Sequence, residues 1–154
     1  DWSTNPLVAL WFAVRDTPSK SENGSLVDGV VWVFESMRSY HIEEKVHPFE
    51  IESIKVFSPA HSSKRIVAQS GWFTCHNLVD GKFFPLENNS IYQKQISKII
   101  IASEAFSRLK NELDLFGISY RTLFPDLVGV CTHIGWKHLS ELEHSRQFYE
   151  FQFR

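Results

Sequence analysis

The run Pro6-Leu7-Val8-Ala9-Leu10-Trp11-Phe12-Ala13-Val14 constrains this chain more than any other segment. Asn5 is a favoured helix N-cap and Pro6 a favoured first helical residue, so a helix is predicted from Pro6 to about Val14. Its residues are apolar almost all round. A helix with no polar face is buried rather than laid on a surface. The rest of the chain must therefore supply its enclosure. The material is there: 154 residues with 43% hydrophobic content, including 13 Phe and 5 Trp. That length suits a single domain over 1–154.

Downstream, Thr17 to Gly29 reads as an exposed loop. Gly29 to Phe34 is β-branched and aromatic and predicts a central strand. Arg38 to Glu52 is mixed, with Pro48, and predicts an irregular connection. Ser53 to Phe57 alternates as a half-exposed strand does. Ser62-Ser63 can cap a short helix over Lys64 to Gln69, closed by Gly71. Trp72 to His76 and Ile96 to Ile101 read as strands, with a turn at Asp80-Gly81 between them. Ser103 is expected to cap a helix over Glu104 to Phe116, with Phe106, Leu109, Leu113 and Phe116 on one apolar stripe and Gly117 as its stop. Pro125 can open a last helix whose inner face is Leu127, Val130, Cys131 and Ile134. About four strands and three or four helices without strict alternation predict an α+β fold, with a mixed or antiparallel sheet.

Several classes are disfavoured. A net charge of -2 is not the footprint of a dedicated nucleic-acid binder. No apolar run approaches a membrane span. Cys75 and Cys131 belong to no CxxC pair and read as buried thiols, which favours a reducing, cytoplasmic setting. No metal site is expected. His133 and His138 fall on different helix faces, and the E-x-x-H of Glu141 and His144 offers two ligands where a structural zinc needs four. No nucleophile elbow and no Gly-rich phosphate loop is present.

Three segments carry a resemblance. Asp1-Trp2-Ser3-Thr4-Asn5-Pro6 and the helix after it resemble the best-marked stretch of the FRG domain family. Arg65-Ile66-Val67-Ala68-Gln69-Ser70-Gly71-Trp72-Phe73-Thr74 is similar to the family's stretch of Arg, then Gln, Gly and Phe-Thr. Leu123-Phe124-Pro125-Asp126-Leu127-Val128-Gly129 is similar to its Phe-Pro-Asp-Leu-x-Gly. The resemblance implies a setting in bacteria and their phages. It also implies an upstream segment, holding an Arg and the Phe/Tyr-Arg-Gly motif, that this sequence lacks. The chain is accordingly read as a fragment, on which Leu7, Leu10, Trp11 and Val14 are expected to meet solvent.

The candidate site follows from these segments. Asp1, Ser3, Thr4 and Asn5 stand at a helix start, where unpaired N–H groups can hold a phosphate. They can equally be a cap and a buried turn. Arg65 and Gln69 share a helical face. Arg65 can clamp a phosphate or carboxylate, and Gln69 can orient a substrate but cannot act as a base. Both can instead secure a neighbouring loop. Two functions are open. One is a nucleotide-using enzyme, in its sharpest form ADP-ribosyl transfer from NAD. Such chemistry needs a carboxylate, and nothing in the sequence selects one, although Glu50 and Glu52 are close. The other is a non-catalytic module that recognises a phosphorylated ligand or a phage component.

Overall fold

The computed structural model describes residues 1–37, 40–42, 47, 50–60, 63–78 and 81–152, with side chains up to 140 and at Leu142. The predicted first helix, α1, spans Pro6–Val14, and a two-residue strand, β1 (Trp2–Ser3), precedes it. Asn5 caps α1 as expected, its Oδ1 accepting from the Leu7 N–H at 3.0 Å. Val8, Trp11 and Val14 are each 1% exposed. They pack on Phe106 and Leu113 of helix α3 (Phe106–Leu115) and on Leu123 of helix α4 (Tyr120–Leu123). The Trp11 ring meets Tyr120 edge-on, centroids 4.7 Å apart. Removing an indole buried this way costs about 3–5 kcal/mol. Trp11 and Val14 are thus covered, contrary to the expectation that they meet solvent. Of that expected patch only Leu7 is exposed.

Two antiparallel sheets flank α1, and the fold is α+β. One orders β1, β4 (Gly71–Cys75) and β3 (Lys55–Phe57), with Trp2 opposite Trp72 and Val56 opposite Thr74. The other is a ribbon of β2 (Gly29–Phe34) and β5 (Ile96–Ile101), from Gly29 opposite Ile101 to Phe34 opposite Ile96. β2 is therefore not a central strand. The face of β2 packs tightly at its start: a Cβ on Gly29 would lie 3.0 Å from both the Ala13 carbonyl and the Phe106 ring, which brings this end of the strand close against α1 and α3. A smaller core of Ile54, Leu86 and Tyr92 lies at the other end, closed by the Tyr92 hydroxyl accepting from the Ile54 N–H at 3.1 Å.

The chain reverses after helix α2 (Lys64–Ala68) at Ser70, with φ 48°, and not at Gly71. Ser63 takes the N-cap position of α2 without a side-chain bond, and Ser62 lies outside the described residues. Asp80 of the predicted turn, and much of Arg38 to Glu52, also lie outside them. Ser103 does not cap α3. It opens a 3-10 turn, and its N–H donates to Asp28 Oδ1 at 2.9 Å. Gly117 stops α3 as predicted, with φ 79° and the Ile118 N–H returning to the Leu113 carbonyl at 2.8 Å. Phe116 is the C-cap residue, just past the last helical residue Leu115, and is exposed, so it leaves the predicted stripe.

The last helix, α5 (Leu127–Gln152), turns a different face inward from the one predicted. Leu127, Val130, Cys131 and Ile134 are exposed, and Gly129 and His133 are buried. The cause is the turn before it. A Cβ on Gly129 would stand 2.0 Å from the Phe124 carbonyl oxygen. Asp126 Oδ1 accepts from the Gly129 N–H at 2.8 Å and caps α5. Together these fix how α5 enters, and they give the Phe-Pro-Asp-Leu-x-Gly pattern a physical basis. Further along, Lys137 pairs with the buried carboxylate of Asp114 at 2.8 Å. Cys75 and Cys131 form no disulfide, and Cys131 is exposed rather than buried. Among the described residues, no helix is long and apolar enough to cross a membrane.

Gly129→Ala is expected to lower stability by about 3 kcal/mol, read as a fall in denaturant midpoint. An unchanged midpoint would contradict this account of the turn.

Candidate functional site

The two least covered apolar residues of α1, Leu7 and Phe12, each line a cavity. Leu7 looks into an apolar chamber of about 700 Å³. Its walls include Leu10, Trp32, Phe34, Trp72 and Ile99. Ser36 and His41 also border it, with the Ser36 hydroxyl 3.0 Å from His41 Nε2. Phe12 looks into a more polar cleft of about 630 Å³. Trp2, Ser3 and Trp32 belong to both cavities and form the wall between them.

The polar cleft gathers Asp1, Ser3, Arg65 and Gln69, four of the six residues expected from sequence. Thr4 lines the apolar chamber instead. Asn5 lines neither and acts as the cap described above. The first-turn N–H groups of α1 are all engaged: Leu7 bonds Asn5 Oδ1, and Val8 and Ala9 bond the Asn5 carbonyl. Ser3 is a clamp, its hydroxyl donating to the Gln69 carbonyl at 2.8 Å and accepting from the Asn5 N–H at 3.1 Å.

Gln69 donates through Nε2 to the Leu123 carbonyl at 3.0 Å. That bond ties α2 to the turn before α5. Arg65 stacks on the next residue of that turn, its guanidinium carbon 4.4 Å from the Phe124 ring centre. Such stacking holds the planar group still and leaves its edge donors available. No carboxylate among the described residues pairs with it. Arg65 is thus oriented by Phe124, its guanidinium without a hydrogen-bond partner among the described residues, and on the wall of the cleft.

Two further residues of the cleft escaped the sequence reading. Glu87 stands in the 3-10 turn Leu86–Asn88 and supplies a carboxylate. Glu50 and Glu52 are exposed and do not line the cleft. No pattern in the segment Pro85 to Ser90 singles out Glu87. The turn faces the cleft because Leu86 is anchored in the smaller core. His76 follows β4 and lines the same cleft. Its Nε2 lies 2.9 Å from Thr74 Oγ1, which also accepts from Trp2 Nε1–H at 3.1 Å. Burial is the main cause that holds the His76 imidazole below the ordinary histidine value.

Among the described residues, no three His, Cys, Asp or Glu assemble into a metal-binding group. The side chains of Glu141 and His144 lie outside the described ones. No protein-family profile, no curated protein and no solved structure matches the chain.

One buried histidine, His133, and one half-buried, His76, give the protein a pH dependence. Burial lowers His133 as it lowers His76, although Asp114 at 3.7 Å pulls His133 back upward. In the unfolded chain both titrate near their ordinary value of about 6.5. The unfolded state therefore takes up protons first as pH falls. The stability from keeping them neutral is fully present above that value and is lost as pH drops below it. Thermal melts should show a lower midpoint at pH 5 than at pH 7.5, and His133→Gln should narrow the gap. An equal or higher midpoint at pH 5 would contradict this.

Proposed function

We propose that the polar cleft binds a nucleotide-type small molecule, with NAD as the substrate class and ADP-ribosyl transfer as the reaction. One observation carries the reading. Arg65 is a stacked guanidinium, unpaired among the described residues, on a cleft of about 630 Å³, a size suited to such ligands. Its planar fork matches a phosphate in two-point fashion. Trp32 and Phe83 border the same cleft and offer aromatic surface to a base. Glu87 is the carboxylate this chemistry calls for, to hold ribose hydroxyls and to stabilise the cation formed as the bond to nicotinamide breaks. The resemblance to the FRG family supports the placement. Two of its three segments supply Arg65, Gln69 and the turn of Leu123 and Phe124. It also supports a bacterial or phage setting in the cytoplasm.

A second reading has its own support. Glu87 is exposed. A carboxylate that must stabilise a developing cation acts best where water is excluded. A non-catalytic module that recognises a phosphorylated ligand uses the same Arg65 and needs no such carboxylate.

Titrating NAD and ADP-ribose into the chain, with NAD loss followed in parallel, separates the readings. Arg65→Ala should weaken binding of both about tenfold or more. Glu87→Gln should spare binding and abolish NAD loss. Binding without NAD loss in the parent chain identifies the module. No binding of either compound rejects the nucleotide reading.

A further inference from the structure

The imidazole of His76 shows which of its nitrogens carries the proton. Burial keeps the ring neutral at pH 7.5, so one nitrogen donates and the other accepts. Trp2 Nε1–H can only donate, and it donates to Thr74 Oγ1. The Thr74 hydroxyl then needs an acceptor for its own proton, and among the described residues its other partner is His76 Nε2 at 2.9 Å. If Nε2 accepts that proton, the imidazole proton sits on Nδ1. If Nε2 carried the proton instead, the Thr74 hydroxyl would also be left without an acceptor. The chain Trp2 to Thr74 to His76 therefore selects Nδ1–H. That Nδ1 is buried and, among the described residues, has no hydrogen-bond partner. A buried unsatisfied polar atom in a native fold calls for an explanation.

We propose that His76 is a ligand-binding residue of the polar cleft, its Nδ1–H donating to an anionic oxygen of the phosphate class on the bound molecule. This rests on the reading of the cleft as a nucleotide site and assigns it a second anchor. Arg65 supplies the charge, and His76 supplies a single neutral donor whose direction is set by Thr74. The ring that packs against His76 is Phe83, with centroids 5.1 Å apart and planes at 64°. Phe83 is 58% exposed, so little packing is lost when it turns aside. It follows a turn at Gly81, which has φ 71°. Phe83 is the part of the cover that yields as the oxygen reaches Nδ1.

The test uses the ¹⁵N-labelled chain at pH 7.5. Long-range ¹H–¹⁵N spectra of the His76 ring identify the tautomer, and titrations with inorganic pyrophosphate and with ADP-ribose follow its nitrogens. The expected result is the Nδ1–H form, with the Nδ1 resonance moving on addition of pyrophosphate. His76→Asn places an amide donor where Nδ1 stood and should hold affinity near that of the parent. His76→Gln places it where Nε2 stood and should lose about tenfold. Phe83→Ala, a change at an exposed side chain, should strengthen pyrophosphate binding. An Nε2–H tautomer, a His76 signal unmoved by pyrophosphate, or Gln serving as well as Asn would each overturn the assignment. The two readings fail separately. Pyrophosphate moving His76 while ADP-ribose does not bind rejects the nucleotide and keeps the anchor. ADP-ribose bound with His76 unmoved does the reverse, and silence from both ligands rejects both.

Discussion

Burial of α1 is the constraint on which the rest of the structure depends. A nine-residue helix with no polar side has to be enclosed, and helices α3 and α4 and two small sheets converge on it. Val8, Trp11 and Val14 are sealed by Phe106, Leu113 and Leu123. The enclosure is uneven, and its gaps matter. Leu7 and Phe12 remain partly uncovered, and each opens onto a cavity. The helix at the centre of the core therefore also provides a wall for both hollows. Trp2 and Trp32 divide an apolar chamber from a polar cleft, so a stability element and a candidate site are built from the same residues.

The cleft owes the positioned cation of Arg65 to a lock between distant segments. Gln69 holds the Leu123 carbonyl, and Phe124 lies under Arg65. The same turn is fixed from its other side by Asp126 and by the absence of a side chain on Gly129. Gln69 is therefore a structural residue whose effect on the site is indirect. Among the described residues, Arg65 has no ion-pair partner to give up when a ligand arrives. Such preorganisation reduces the cost of binding.

Much of this was legible in the sequence, and the failures have physical causes. α1 could be read because cap, proline and apolar run all agree. β2 and β5 could be read as strands from their β-branched residues, but a local pattern does not name partners, and β2 proved to have one neighbour. The inner face of α5 was misread because counting apolar residues favoured Leu127 and Ile134. A carbonyl contact at Gly129 and a polar pairing at Asp114 decided the rotation instead. Ser70, in a left-handed conformation, ends α2 where the sequence pointed to Gly71 as the stop. Of the residues that line the cleft, Asp1, Ser3, Arg65 and Gln69 stood out in the sequence because they sit in marked segments. Glu87 and His76 become visible only once the chain has brought the turn at Leu86 and the end of β4 together. The helix-start residues were overvalued, since the cap and the first-turn N–H groups satisfy one another.

The most direct test of the account is a map of where a nucleotide-type ligand touches the chain. Amide and indole ¹H–¹⁵N spectra recorded during an ADP-ribose titration supply that map. The account predicts shifts concentrated at Trp32, Arg65, Gln69 and Thr74, with residues of the apolar chamber such as Val33 and Ile99 little changed. Shifts confined to the chamber, or spread along the exposed face of α5 with the Arg65 wall silent, would contradict it.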